Sequence, residues 1–170
     1  TSASGIWTLS EVEMLNKQSL WPTAGNEKPL VENVFSTDTY TGNATARSIT
    51  TGIDLAGEGG LVWGKARGGS YNHWLYDTVR GAEKPLVTNT TNGEQSTSGA
   101  GLTAFTSDGF TLAASSWWNE NHNTVDQVAW TFRKAPKFFD VVTGTTDNSG
   151  HIDLTHSLGQ EPGMVIVKRT

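Results

Sequence analysis

Cysteine is absent from this 170-residue chain. That excludes disulfide stapling, thiolate nucleophiles and any zinc site that needs a thiolate ligand. It leaves the compartment open, since a large extracellular assembly can also do without disulfides. Basic charge is short as well: 12 Lys and Arg stand against 17 Asp and Glu, for a net charge of −5 and a pI near 5.3. Sequence-independent nucleic-acid binding needs a basic surface that displaces counterions, so nucleic acid is not an expected partner. No apolar run approaches the roughly 20 residues that cross a bilayer as a helix, and no membrane insertion is expected. The chain opens at Thr1 with no signal-peptide pattern, which reads as a processed or partial product. The Gly-x-Ser-x-Gly of a nucleophile elbow is missing too.

What is abundant points to strands and turns. Nineteen glycines and many threonines accompany 35% hydrophobic residues, enough apolar material for one domain-sized core. Residues 1–30 differ and read as an arm. Ser10 can cap the amide of Glu13 while the Glu13 carboxylate reaches back, and Leu9 and Met14 occupy the two positions of a hydrophobic staple. Trp21-Pro22 ends this short helix, and Thr23 to Pro29 is a linker. A helix of about ten residues cannot hold itself together in water. It is expected to dock on a neighbouring copy or protein, with Trp7, Leu15 and Trp21 as candidate assembly residues.

From Val34 onwards short β-prone runs alternate with Gly, Asn, Asp and Ser clusters, and no helical period is visible. Strands are expected near Val34 to Tyr40, Leu61 to Lys65, Trp74 to Thr78, Phe110 to Ala113 and Val125 to Phe132. Others are expected near Phe138 to Thr143, Ile152 to Thr155 and Met164 to Lys168. The clearest run, DQVAWTFRK, puts Val128, Trp130 and Phe132 on one face and Gln127, Ala129, Thr131 and Arg133 on the other. One dry and one wet face suit an antiparallel β-sandwich, jelly-roll or lectin-like. The fold class is all-β.

A long internal repeat organises the chain. An offset of 103 residues places Gly60 on Gly163 and, without a gap, Phe35 on Phe138, Ile49 on Ile152 and Leu55 on Leu158. The same offset brings Glu58 to Glu161, Val62 to Val165 and Lys65 to Lys168. A period near 100 residues is too long for a solenoid and suits a tandem array of whole β-sandwich modules. One module is therefore expected over residues 31–136. Residues 137–170 then begin a second, truncated copy, or form a tail that completes the first.

The runs GIDLAGEGGLVWGKAR, NHWLYDTVRG, LTAFTSDGFTL and VAWTFRKAPKFFDVVT resemble a repeated module of tail-fibre and other virion surface proteins of tailed bacteriophages, many of them marine. The opening GIWTLSEVEMLNKQSLWP is similar to a short segment common in phage structural proteins. The resemblance covers nearly the whole chain. It implies a β-sandwich virion component acting in assembly and host-surface attachment, located on the particle surface, that continues past PGMVIVKRT into a second module. Its implied partners are further copies of itself, with three-fold symmetry favoured, and other virion proteins; it supplies no ligand, and a host surface glycan is a partner only if the module binds sugars. It supplies no catalytic residues and no cofactor. Two positions depart from the pattern: Gly64 where a larger aliphatic residue is expected, and Trp74 where a basic one is usual.

No catalytic constellation can be named, and the chain is not expected to be an enzyme. His73 with Asp77 and His122 with Asp126 share an i, i+4 spacing, but in strands such pairs lie about 13 Å apart, so no metal site is assigned. Asp77 is better placed to pair Arg80 or cap backbone amides. The candidate ligand-binding residues come from SSWWNENHN, where Trp117 and Trp118 precede His122 in a polar loop. Adjacent residues of an extended chain face opposite ways, so one ring is exposed as a platform for a sugar, with amides beside it for the hydroxyls. Tyr71 and Trp74 in Tyr71-Asn72-His73-Trp74 are the second candidate. The alternative to a virion component is thus a carbohydrate-binding module without catalytic activity.

Overall fold

The computed structural model describes residues 29–114 and 119–169. The arm helix, with Trp7, Leu15 and Trp21, lies outside the described residues. The elements are β1 (Phe35–Thr41), β2 (Arg47–Thr50), the one-turn helix α1 (Leu55–Glu58), β3 (Gly60–Ala66), β4 (His73–Asp77), β5 (Leu86–Val87), β6 (Leu102–Thr106), β7 (Gly109–Leu112) and β8 (Asp126–Arg133). All pairings are antiparallel. The larger sheet runs β1-β8-β3-β4-β5 and the smaller β2-β7-β6. Sequence order and spatial order differ because β8, last in the chain, inserts between β1 and β3. Asp54 starts α1 by accepting the Gly57 amide at 2.8 Å, as an N-cap should.

The sheets face each other across one core. Ile49, Leu102, Phe110 and Leu112 of the smaller sheet meet Val62, Trp74, Tyr76 and Ala129 of the larger, and Ile53 and Leu55 close one side. This all-β, two-sheet architecture agrees with the reading of composition and period. The faces of β8 do not. Gln127, Ala129 and Thr131, read as the wet face, are fully buried, while Val128, Trp130 and Phe132 are half-buried on the outer side.

Volume explains the reversal. The rings of Trp74, Tyr76 and Phe110 fill the space between the sheets, with Trp74 packed edge-on to both others at centroid distances of 5.7 and 6.4 Å. Strands opposite such rings must carry little. Gly64 is the cross-strand partner of both Trp74 and Ala129, and a Cβ at Gly64 would collide with the Trp74 indole. The two departures noted in the sequence therefore compensate each other: the missing side chain at 64 is the room for the ring at 74. Trp74, proposed from sequence as an exposed aromatic, is only 3% exposed and is no ligand platform. The large side chains of β8 are left to the outer face, where Trp63 and Trp130 meet at 6.1 Å and Phe132 touches Phe35 and Phe139 at 4.9 and 5.3 Å.

The strands expected at Phe138 to Thr143, Ile152 to Thr155 and Met164 to Lys168 are not formed. A strand needs a hydrogen-bonded neighbour to persist, and among the described residues none runs beside this segment. Scattered contacts hold the tail instead, and near its end the Lys168 Nζ donates to the Thr90 carbonyl at 2.6 Å. Ala135 and Phe139 form an isolated bridge, and the Asp140 carboxylate accepts from the Ser157 amide and hydroxyl at 2.7 and 2.8 Å and pairs Lys134 at 2.9 Å. Burial opposes the charge on Asp140, yet these contacts outweigh it and hold its carboxyl at about 2. Met164 and Ile166 remain 79% and 75% exposed.

The Gly64–Trp74 fit has a measurable signature. Gly64→Ala lowers the unfolding free energy by about 1–3 kcal/mol, the usual cost of overpacking, and Trp74→Leu alone is destabilising through the cavity it leaves. Combined, the two cost less than their sum in urea unfolding, because the smaller side chain at 74 frees the space at 64. Strict additivity would show that the positions do not share one volume.

Candidate functional site

Three loops meet where β1, β3 and β8 end on one side of the larger sheet. Gly42 exchanges backbone bonds with the 124–125 segment, its amide donating to Val125 and its carbonyl accepting from Thr124, both at 2.9 Å. The Arg67 amide donates to the Asp126 carbonyl at 2.8 Å, and the Ala44 amide to Asn121 at 2.9 Å. Asn121 is the buried staple of this end. Its Nδ2 donates to the Thr45 and Ala113 carbonyls at 2.8 and 2.9 Å, and its Oδ1 accepts the Asn43 amide at 3.1 Å. Amide side chains suit this task because they donate and accept at once.

Beneath the loops lies Glu120, 1% exposed. The Tyr76 hydroxyl donates to its Oε1 at 2.6 Å, and the Tyr40 hydroxyl to its backbone carbonyl at 2.9 Å. The second carboxyl oxygen has no partner among the described residues. Burial pushes the Glu120 carboxyl up to about 8, with the Tyr76 hydrogen bond pulling the other way. Burial and the neighbouring carboxylate likewise push the hydroxyls of Tyr76 and Tyr40 far above the usual phenol range. Gln127 completes the layer, donating to the Asn119 carbonyl at 2.8 Å.

Above the loops is an open depression of about 480 Å³ lined by Arg67, Gly68, Gly69, Tyr71, Thr124 and Asp126 among others. Tyr71 stands here, and the ring of His122, 51 residues away in sequence, lies beside it with centroids 5.8 Å apart. Gly69, at φ +77°, permits this: a Cβ there would strike the Tyr71 ring. Thr124 holds φ +64°, a backbone state that costs a β-branched residue of order 1–3 kcal/mol. It is fixed by its bond to Gly42. The Asp126 Oδ1 accepts the Thr41 hydroxyl at 2.7 Å. Among the described residues, nothing hydrogen-bonds or ion-pairs with the Arg67 guanidinium.

The sequence candidates thus divide. Tyr71 and His122 are brought together, Tyr71 in the lining of the depression and His122 against its ring. Trp74 is removed to the core, and Trp117 and Trp118 lie outside the described residues. Asp77 takes the structural part read for it, accepting the Val79 and Arg80 amides and the Arg80 Nε. No group of three or more His, Cys, Asp or Glu able to hold a metal occurs among the described residues. Arg67, Thr124 and Glu120 were missed, and Asp126 was noted only for its i, i+4 spacing from His122. The Arg-Gly-Gly turn after β3 was the available signal for the first; nothing local marks Glu120 as buried.

A family model for a domain of unknown function (DUF7483) matches residues 31–170. The chain belongs to that family. The matched span takes in both sheets and the tail. No curated protein and no solved structure matches the chain.

Glu120 gives this end of the fold a pH dependence. A carboxyl at about 8 in the folded chain and near 4.5 unfolded binds its proton more tightly when folded. Its contribution is complete below pH 4.5 and is lost as pH rises to about 8, at up to about 1.4 kcal/mol per pH unit. Glu120→Gln, which cannot ionise, should unfold in urea with a flatter profile between pH 5 and 8 than the natural chain. Parallel profiles would show that the carboxyl is not the titrating group.

Proposed function

We propose that this DUF7483 chain is a structural component of a bacteriophage virion, a tail-fibre or capsid-surface protein that acts in assembly and host-surface attachment, without catalysis. One observation carries the reading from the geometry: the chain enters and leaves the two sheets at one pole, and the loop-lined depression lies at the other. Phe35 pairs with Phe132, and the Arg133 amide donates to Val34, so residues 34 and 134 stand side by side. At the opposite end of the same ladder Thr41 pairs with Asp126, which lines the depression. Seven residues of strand put roughly 20 Å between the poles. A module held at one end and presenting loops at the other suits a particle surface.

Two apolar surfaces support partners. One is the half-buried Trp63, Trp130 and Phe132 face of the larger sheet; the other is Met164 to Val167. The offset of 103 residues makes the latter the counterpart of Leu61 to Gly64, which β3 pairs with both β4 and β8. In this reading residues 137–170 are a partial copy of the module, and the sandwich is of the jelly-roll or lectin-like kind. Partners are other copies of the chain, a trimer favoured, and other virion proteins, with the residue 1–30 arm helix as a docking element. A carbohydrate-binding module without catalytic activity is the second reading, favoured by the Tyr71 ring at the depression and the His122 ring beside it, with Trp117 and Trp118 as the further candidates from sequence.

Antibodies raised against the chain should label the surface of intact phage particles. Purified chain should sediment as an oligomer that a version lacking residues 1–30 fails to form. Labelling of disrupted particles alone, together with identical monomers in both preparations, would overturn the reading.

A further inference from the structure

We infer that the depression between Arg67, Tyr71 and Asp126 binds one ring of a neutral sugar, a pyranose with adjacent free hydroxyls. The inference rests on the carbohydrate reading above and names its residues and ligand class. Three features define the ligand. Arg67 only donates hydrogen bonds and Asp126 only accepts them; both line one depression, and neither is spent on the other, since Asp126 takes the Thr41 hydroxyl and nothing described engages the Arg67 guanidinium. A phosphate or carboxylate would satisfy Arg67 but face the Asp126 charge. A cation would satisfy Asp126 but face Arg67. A hydroxyl donates and accepts at once, so a pair of neighbouring hydroxyls bridges the two side chains with no like-charge contact.

The third feature is the apolar wall. The Tyr71 ring is backed by the Gly69 backbone and cornered by His122, which restricts its motion before any ligand arrives. A half-buried, pre-positioned aromatic ring offers a flat surface to the C–H face of a pyranose. Gly68 and Gly69 carry no side chains that would fill the opening, and a Cβ at Gly68 would meet nothing within 4 Å. The volume, about 480 Å³, falls in the range of small-ligand sites. The strained Thr124 on the facing loop fits a wall held in place by its neighbours.

The test uses the full chain on an immobilised panel of neutral and sialylated oligosaccharides, followed by titration with methyl glucoside, methyl galactoside, methyl mannoside and inorganic phosphate. At least one neutral pyranoside should bind. Tyr71→Ala and Asp126→Asn should each weaken it about ten-fold or more, the loss expected of a central contact, with unchanged circular dichroism. Trp63→Ala, which removes an aromatic ring from the outer sheet face instead, should leave the affinity unchanged. Absence of neutral-sugar binding, binding confined to phosphate or sialylated ligands, or affinity indifferent to Tyr71→Ala and Asp126→Asn would each overturn the inference. Particle labelling and sedimentation are independent of these results, so failure here leaves the virion reading standing.

Discussion

The Trp74 indole lying on the bare backbone of Gly64 sets the terms for the rest of the molecule. With that ring between the sheets, β8 can offer only Ala129 beside it, and the bulk of β8 has to point outward. Tyr76 packs edge-on against Trp74 and carries a hydroxyl, which must find a partner once buried. Glu120 supplies it, and through Glu120 the 119–122 segment is drawn down onto the core. Asn121 and Gly42 then have fixed positions, and the rim of the depression follows from them. A choice of side-chain volume in the middle of the sheet thus reaches the loops through a short series of contacts.

The Glu120 carboxyl is the costly member of that series. Burial favours its neutral form over a broad pH range, although the Tyr76 hydroxyl donates to one oxygen and pulls the other way; the other oxygen has no partner among the described residues. A neutral carboxyl can sit in an apolar layer at a far smaller penalty than a charged one. Strain at Thr124 is a second cost in the same loops. Both are carried by the dense backbone bonding among 42–45, 119–122 and 124–125, which leaves these loops little freedom despite their glycine and asparagine content.

Fold class was legible because alternation and turn residues leave few other options; β3, β4, β7 and β8 lie close to where the sequence puts them. Which face of β8 is buried was not legible from β8 itself. Period gives alternation, but the sign of the alternation depends on what stands opposite, and Trp74 and Gly64 are distant in sequence from Ala129. β2, as polar as RSIT, and β6, whose LTAFT breaks strict alternation at Ala104-Phe105, carry too little local signal, and their strands exist because β7 pairs with both. The tail failed in the opposite sense: Met164 to Val167 has the composition of a strand and lacks the neighbours. At the site, the cue of aromatic residues in polar loops picked out Tyr71 and His122, whose rings the fold brings within 5.8 Å of each other. The same cue misplaced Trp74, because only the pairing of β3 with β4 reveals that a glycine lies opposite and makes room for the ring.

The shared pole of β1 and β8 governs how the module answers force. A pull applied across residues 34 and 134 loads the ladder from one end. Its seven rungs, from Phe35–Phe132 to Thr41–Asp126, then open in succession like a zipper instead of resisting together in shear. The Phe35–Phe132–Phe139 ring contacts sit at the end where peeling starts and act as its clasp. The Thr41–Asp126 rung beside the depression gives way last. Under such a pull the chain lengthens from this pole while the far end of the ladder stays paired.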